Sequence, residues 1–79
     1  MEIDSFVSLF AAQFDETPNN QFAANTRFRE LEEWSSLTAL SIIAMVDDEF
    51  DVQLDGDDIR SAATIEDIYK TVISRLDGA

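Results

Sequence analysis

An all-α fold, a small bundle of three long helices and one short one, follows from three observations on this 79-residue chain. Two segments, one near each end, repeat apolar residues at helical spacing. A middle segment is apolar on nearly every side. No stretch shows the period-two alternation with strand-spaced turns that a sheet requires. The chain is expected to form one domain, residues 1–79. A chain this short buries only roughly 60% of its unfolded surface, so modest stability is expected. Its apolar fraction of 46% still suffices for one core.

Ile3, Phe6, Val7, Phe10 and Phe14 fall at i, i+3, i+4, i+7 and i+11. This stripe predicts a first helix over about residues 4–14, with Asp4 or Ser5 capping its start. Asp15 to Ser35 reads as a long connection. In it, Thr17-Pro18-Asn19-Asn20 is turn chemistry, with Thr17 placed to cap a short turn that has Pro18 at its first position. Loops of this length must pin themselves down, and Phe22, Phe28 and Leu31 are the expected pins.

The second helix is expected from about Ser36 to Asp51. From Ala39 to Val46 every residue except Ser41 is apolar, which marks this as the central helix. Leu40, Ile43 and Phe50 are expected to face the core most directly. Its end carries Asp47, Asp48, Glu49 and Asp51, which oppose the helix dipole at a few tenths of a kcal/mol each. Stability alone favours Lys or Arg there, so these acids point outward, to a basic partner or a divalent cation. Leu54 follows, then a turn at Gly56 and a short helix at Asp57-Asp58-Ile59-Arg60-Ser61. Thr64-Ile65-Glu66-Asp67 resembles a capping box opening the last helix. Ile65, Ile68, Tyr69, Val72, Ile73 and Leu76 are its stripe, Glu66 and Lys70 an i,i+4 pair, and Gly78 its stop.

Composition removes several chemistries. With no Cys there is no disulfide, thiolate zinc site or cysteine nucleophile, and with no His there is no Ser-His-Asp arrangement. Only Gly56 and Gly78 are present, so there is no Gly-rich phosphate loop. Asp51 to Asp57 invites comparison with a calcium loop. It fails at its twelfth position, where Ala62 stands in place of the bidentate Glu, leaving only weak cation binding. No catalytic residue and no metal ligand set is expected, and the chain is expected not to be an enzyme.

The net charge of −12 disfavours nucleic acid and anionic membranes and favours basic protein surfaces. Ten acids and no Lys or Arg lie from Glu30 to Ile59. Met1-Glu2-Ile3-Asp4 has no basic stretch and no apolar run reaches membrane-spanning length, so a cytoplasmic monomer is expected. One hydroxyl then stands out. Ser36 opens the apolar helix, on a chain without catalytic machinery. Serine is also a favoured N-cap, which is the simplest reading of Ser35 and Ser36. At a helix start, however, backbone N–H groups and the dipole favour an attached phosphodiester.

These residues resemble the acyl carrier protein family over nearly the whole chain, most strongly from Phe28 to Ile73. That family bears a serine at the start of its second helix, usually within Asp-Ser-Leu, and Ser36-Leu37 supplies the last two residues. The acidic helix end matches Asp48-Glu49-Phe50, with Phe50 fourteen residues beyond Ser36, and Phe28 lies eight before it. Counting back from Phe50 selects Ser36 over Ser35. Leu54 and Thr64 match the aliphatic and the Thr cap that follow. Ser35 in place of the usual Asp, Trp34 in place of a small residue and Ala62 in place of a bulkier aliphatic suggest a specialised member rather than the housekeeping one.

The resemblance implies a four-helix bundle of acyl-carrier type. It implies that Ser36 receives 4′-phosphopantetheine from a phosphopantetheinyl transferase, with magnesium, and that acyl or aminoacyl groups then ride on the arm as thioesters. Leu37, Ala44, Asp47 and Asp48 would form the face recognised by the transferase and by synthase or ligase enzymes with basic docking surfaces. Ile43, Val46, Leu54 and Ile59 would shelter intermediates between the second and third helices. The competing reading is an unmodified acidic helical adaptor that binds a basic partner and carries nothing.

Overall fold

The computed structural model describes residues 2–78, which form four α-helices. These are α1 (Ile3–Ala11), α2 (Ser36–Phe50), α3 (Gly56–Ser61) and α4 (Ile65–Gly78). No strand is present among the described residues. Three long helices and one short one are thus the architecture that the hydrophobic periodicity predicts. Two single 3-10 turns, Asn19–Gln21 and Phe28–Glu30, punctuate the long first connection.

α1 stops at Ala11 rather than near residue 14. The Gln13 and Phe14 N–H groups donate three residues back, to Phe10 and Ala11 carbonyls at 3.1 and 3.0 Å. The Gln13 side-chain amide also donates to Leu9 O at 3.1 Å, giving a terminal carbonyl a partner. Phe14 nonetheless stays buried and stacks on Phe10 at 5.7 Å. The apolar stripe therefore reports burial beyond the helix end. Neither Asp4 nor Ser5 is the cap. Glu2 occupies that position without a side-chain bond, and Asp4 sits in the first turn, where its charge suits the dipole.

Phe22 and Phe28 are buried pins of the long connection, and Leu31 is half-buried. Thr17 does not cap the turn after it. Its hydroxyl donates instead to Glu33 Oε1 at 2.7 Å. The same carboxylate accepts the N–H groups of Asp15, Glu16 and Thr17 at 2.8, 3.0 and 2.9 Å. One end of the connection is thereby tied to the other.

α2 ends at Phe50, and Asp51 takes the left-handed conformation at φ 55° and ψ 39°. The expectation for its core face needs correction. Leu40 is 62% exposed, and Ile43 and Phe50 are only partly buried. The inward face is Ile42, Met45 and Val46, with Thr38 at its start. A helix apolar on every side gives no direction by which to rank its faces. α3 also differs in detail, because Gly56 is its first residue rather than a turn. Asp55 caps it in a reciprocal box: Asp58 N–H donates to Asp55 Oδ1 at 3.0 Å and Asp55 N–H to Asp58 Oδ2 at 2.9 Å.

α4 opens on the expected box, Thr64 N–H to Asp67 Oδ2 at 3.1 Å and Asp67 N–H to Thr64 Oγ1 at 3.3 Å. Its next two N–H groups, of Ile65 and Glu66, reach across to carbonyls of Thr26 and Ala24. Ile65, Ile68 and Val72 are buried, whereas Leu76, the last residue of the stripe, is 42% exposed. Lys70 pairs with Glu66 at 4.0 Å, and Gly78 is the last residue of the helix. The core joins these elements through Phe6, Phe10, Phe28, Ile42, Val46 and Ile68. Arg75 fastens α4 to α3, donating to both Asp58 oxygens at 2.6 and 2.7 Å and to Gln53 O at 2.9 Å.

Candidate functional site

Two adjacent serines meet the start of α2, and geometry gives them different work. Ser35 is the N-cap, with extended backbone at φ −157° and ψ 175°. Its hydroxyl accepts the Thr38 N–H at 3.3 Å and lies 3.1 Å from the Thr38 hydroxyl, which in turn donates to Glu33 O at 3.0 Å. This chain of bonds satisfies the buried Thr38 and holds the residues before the helix. Ser36 is the first helical residue and is exposed. Among the described residues its hydroxyl has no hydrogen-bond partner.

Ser36 opens onto a groove of about 400 Å³ between the start of α2 and α3. Trp34, Ala39, Leu40, Ile43 and Ile59 form its apolar wall, and Arg29 and Arg60 its basic one. Among the described residues no carboxylate lines it. The floor is firm. Trp34 packs on the fully buried Phe28 at 4.7 Å, and the Arg29 guanidinium carbon lies 5.1 Å from the centre of the same ring.

Ile43 and Ile59 thus line the groove, as half-buried and buried residues respectively. Val46 and Leu54 do not. They are 0% and 2% exposed and belong to the core. Leu37 is 74% exposed, and Ala44, Asp47 and Asp48 are exposed too, so these four share the solvent side of α2. Asp47, Asp48 and Glu49 have no ion-pair partner among the described residues.

Sequence reading missed three contributors. Leu40 lines the groove rather than the core. Arg29 and Glu33 act through contacts 30 and up to 18 residues away in sequence, which no local pattern signals. The Glu33 carboxyl sits below its ordinary pKa. The Thr17 hydroxyl bond is the main cause, with the three backbone N–H bonds added to it. Asp58 is lowered in the same direction, chiefly by Arg75, and Asp67 by the N–H groups of Ala63 and Thr64. Of the acids in the calcium-loop comparison, Asp55 caps α3, Asp58 completes that box and pairs with Arg75, and Asp57 pairs with Arg60. Among the described residues no group of three or more acidic side chains is arranged to hold a metal ion. No helix among them is long and apolar enough to cross a membrane.

The described residues form an acidic helical bundle with an exposed serine at the mouth of an apolar groove. A family profile described as phosphopantetheine attachment site matches residues 4–72, and the chain belongs to that family. No curated protein and no solved structure matches it significantly. The family's prosthetic group is 4′-phosphopantetheine, held covalently, and its domains are not catalytic themselves. Carrier domains of this kind are modified by a phosphopantetheinyl transferase and work with synthase enzymes. The residues here fit such a group: a hydroxyl without a partner, a helix start, and a groove without carboxylates beside it.

Proposed function

We propose that Ser36 is the attachment residue and that residues 1–79 form one carrier unit for acyl or aminoacyl intermediates. The observation that carries this reading is the division of labour between the two serines. Ser35 is committed to capping and Ser36 presents its oxygen to solvent. The Ser36 oxygen forms the new O–P bond. The anhydride bond of coenzyme A breaks, the remainder of the coenzyme leaves, and the hydroxyl proton passes to a base of the transferase. When bound, the arm supplies a terminal thiol on which acyl groups are held as thioesters.

The chain's own contribution is positional. α2 fixes the acceptor oxygen at its start and presents Leu37, Ala44, Asp47 and Asp48 along the same helix as a docking face for basic enzymes. Its unpaired acids steer such partners over a range set by ionic strength. Ile43 and Ile59, joined by Leu40, give a short acyl chain apolar surface to lie against. Val46 and Leu54 belong to the core rather than to that wall. A cytoplasmic, monomeric carrier specialised in its cargo is the setting we assign.

Intact-mass measurement after incubation with coenzyme A and a broad-specificity transferase tests the reading. A gain of one arm on the wild type and none on Ser36→Ala is expected. A gain that persists in Ser36→Ala would overturn the assignment. No gain on the wild type would favour an adaptor that carries nothing.

A further inference from the structure

Arg29 stands apart from the other cations. Arg27, Arg60, Lys70 and Arg75 each lie within ion-pair distance of a carboxylate, and among the described residues Arg29 does not. On a chain with 17 acids and 5 bases, a guanidinium without a carboxylate is the exception. It is also held in place. One nitrogen donates to Ile59 O at 2.9 Å, and its carbon lies 5.1 Å from the centre of the buried Phe28 ring. Among the described residues its other donors have no partner. Arg29 and Ser36 line the same groove, and that lining has two arginines and no acid. With Arg60 engaged by Asp57, Arg29 is the cation of this groove without a carboxylate, in the same lining as the residue that would bear the arm.

We propose that Arg29 is a positioning residue that binds the phosphodiester oxygens of the arm and pins its root along the groove. This rests on Ser36 as the attachment residue. A fixed guanidinium with free donors is suited to two oxygens of one anion. A carboxylate on the cargo would offer the same chemistry. The phosphodiester is favoured because it is bonded to the Ser36 oxygen, whereas cargo hangs from the far end of a flexible chain. Arg27 is engaged by Glu30, lies outside the groove lining and serves as the comparison.

The test compares cargo-free holo-protein of wild type, Arg29→Gln, Arg29→Lys and Arg27→Gln, each carrying the arm by intact mass. Failure to gain the arm would count against Ser36, and is read separately. Phosphorus NMR is expected to give a wild-type phosphodiester signal shifted and broadened relative to Arg29→Gln. High salt should move the wild type toward that variant, with Arg29→Lys between and Arg27→Gln like wild type. Nitrogen-resolved NMR of the wild type alone is expected to show the Arg29 side-chain signals moving between apo and holo forms, which serves if Arg29→Gln fails to fold. Coincident phosphorus signals in wild type and Arg29→Gln, or Arg29 signals unmoved on conversion, would overturn the proposal. So would an Arg29→Gln effect seen only with carboxylate-bearing cargo. If Arg29 served α3 alone through Ile59 O, the variant would melt lower and leave the phosphorus signal unchanged.

Discussion

Ser35 and Thr38 are joined twice, by the Thr38 N–H donated to Ser35 Oγ at 3.3 Å and by their hydroxyls at 3.1 Å. The bond separates two neighbouring serines that sequence alone leaves close to equivalent. Ser35→Ala removes an N-cap and is expected to cost about 1 kcal/mol of stability. It should leave arm attachment intact, while Ser36→Ala should do the reverse. Urea midpoints and intact masses of both variants check this, and a Ser35→Ala protein that cannot be modified although folded would contradict it.

The Glu33 carboxylate gathers four donors from residues 15–17, and its pKa is lowered in the folded protein. A lowered folded-state value means stability that is present above the unfolded value of about 4.3 and lost as pH falls through the folded one. Asp58 and Asp67 act in the same sense. Glu33→Gln is therefore expected to lower Tm at neutral pH and to flatten the acid limb of the stability curve. General relief of self-repulsion at low pH works the other way for both proteins. The difference between wild-type and Glu33→Gln Tm, followed from pH 7 to about pH 3, isolates the site. A difference that stays constant over that range would remove the tie.

Asp51 bears two costs at once. It adopts a left-handed backbone at φ 55°, and it sets a negative charge at the C-terminal end of α2. Asp51→Gly relieves both, against the greater freedom glycine gives the unfolded chain. A net gain of roughly 0.5–1 kcal/mol is expected. A lowered urea midpoint would show that the Asp51 side chain does something the backbone does not reveal.

Helix count, helix order and the exposed serine were legible because each rests on local chemistry. The Ile65–Val72 stripe, the Thr64–Asp67 box and the spacing from Ser36 to Phe50 all lie within a few turns of chain. What stayed hidden needed either a direction or a distance. Leu40 sits in a helix apolar all round, so its 62% exposure follows only from where α1 and α4 pack. Glu33 and Arg29 act across 16 to 30 residues of sequence. The acyl-sheltering set divides for the same reason. Ile43 and Ile59 meet across a groove, while Val46 and Leu54 turn inward from the same neighbourhood.

Charge reversal at the end of α2 separates docking from folding, because the two effects have opposite signs. Asp47 and Asp48 are exposed and without ion-pair partners among the described residues, on a helix whose C-terminal end already carries partial negative charge. Asp47→Lys with Asp48→Lys is expected to raise Tm, since each cation there favours the dipole by a few tenths of a kcal/mol. The same double variant is expected to lower kcat/KM for the transferase at least about tenfold, through slower association. High salt should narrow the gap by slowing the wild type more than the variant. A variant that is more stable yet modified more slowly cannot owe its defect to misfolding. Unchanged modification rates at low salt would remove α2 from the docking face and leave its acids unexplained.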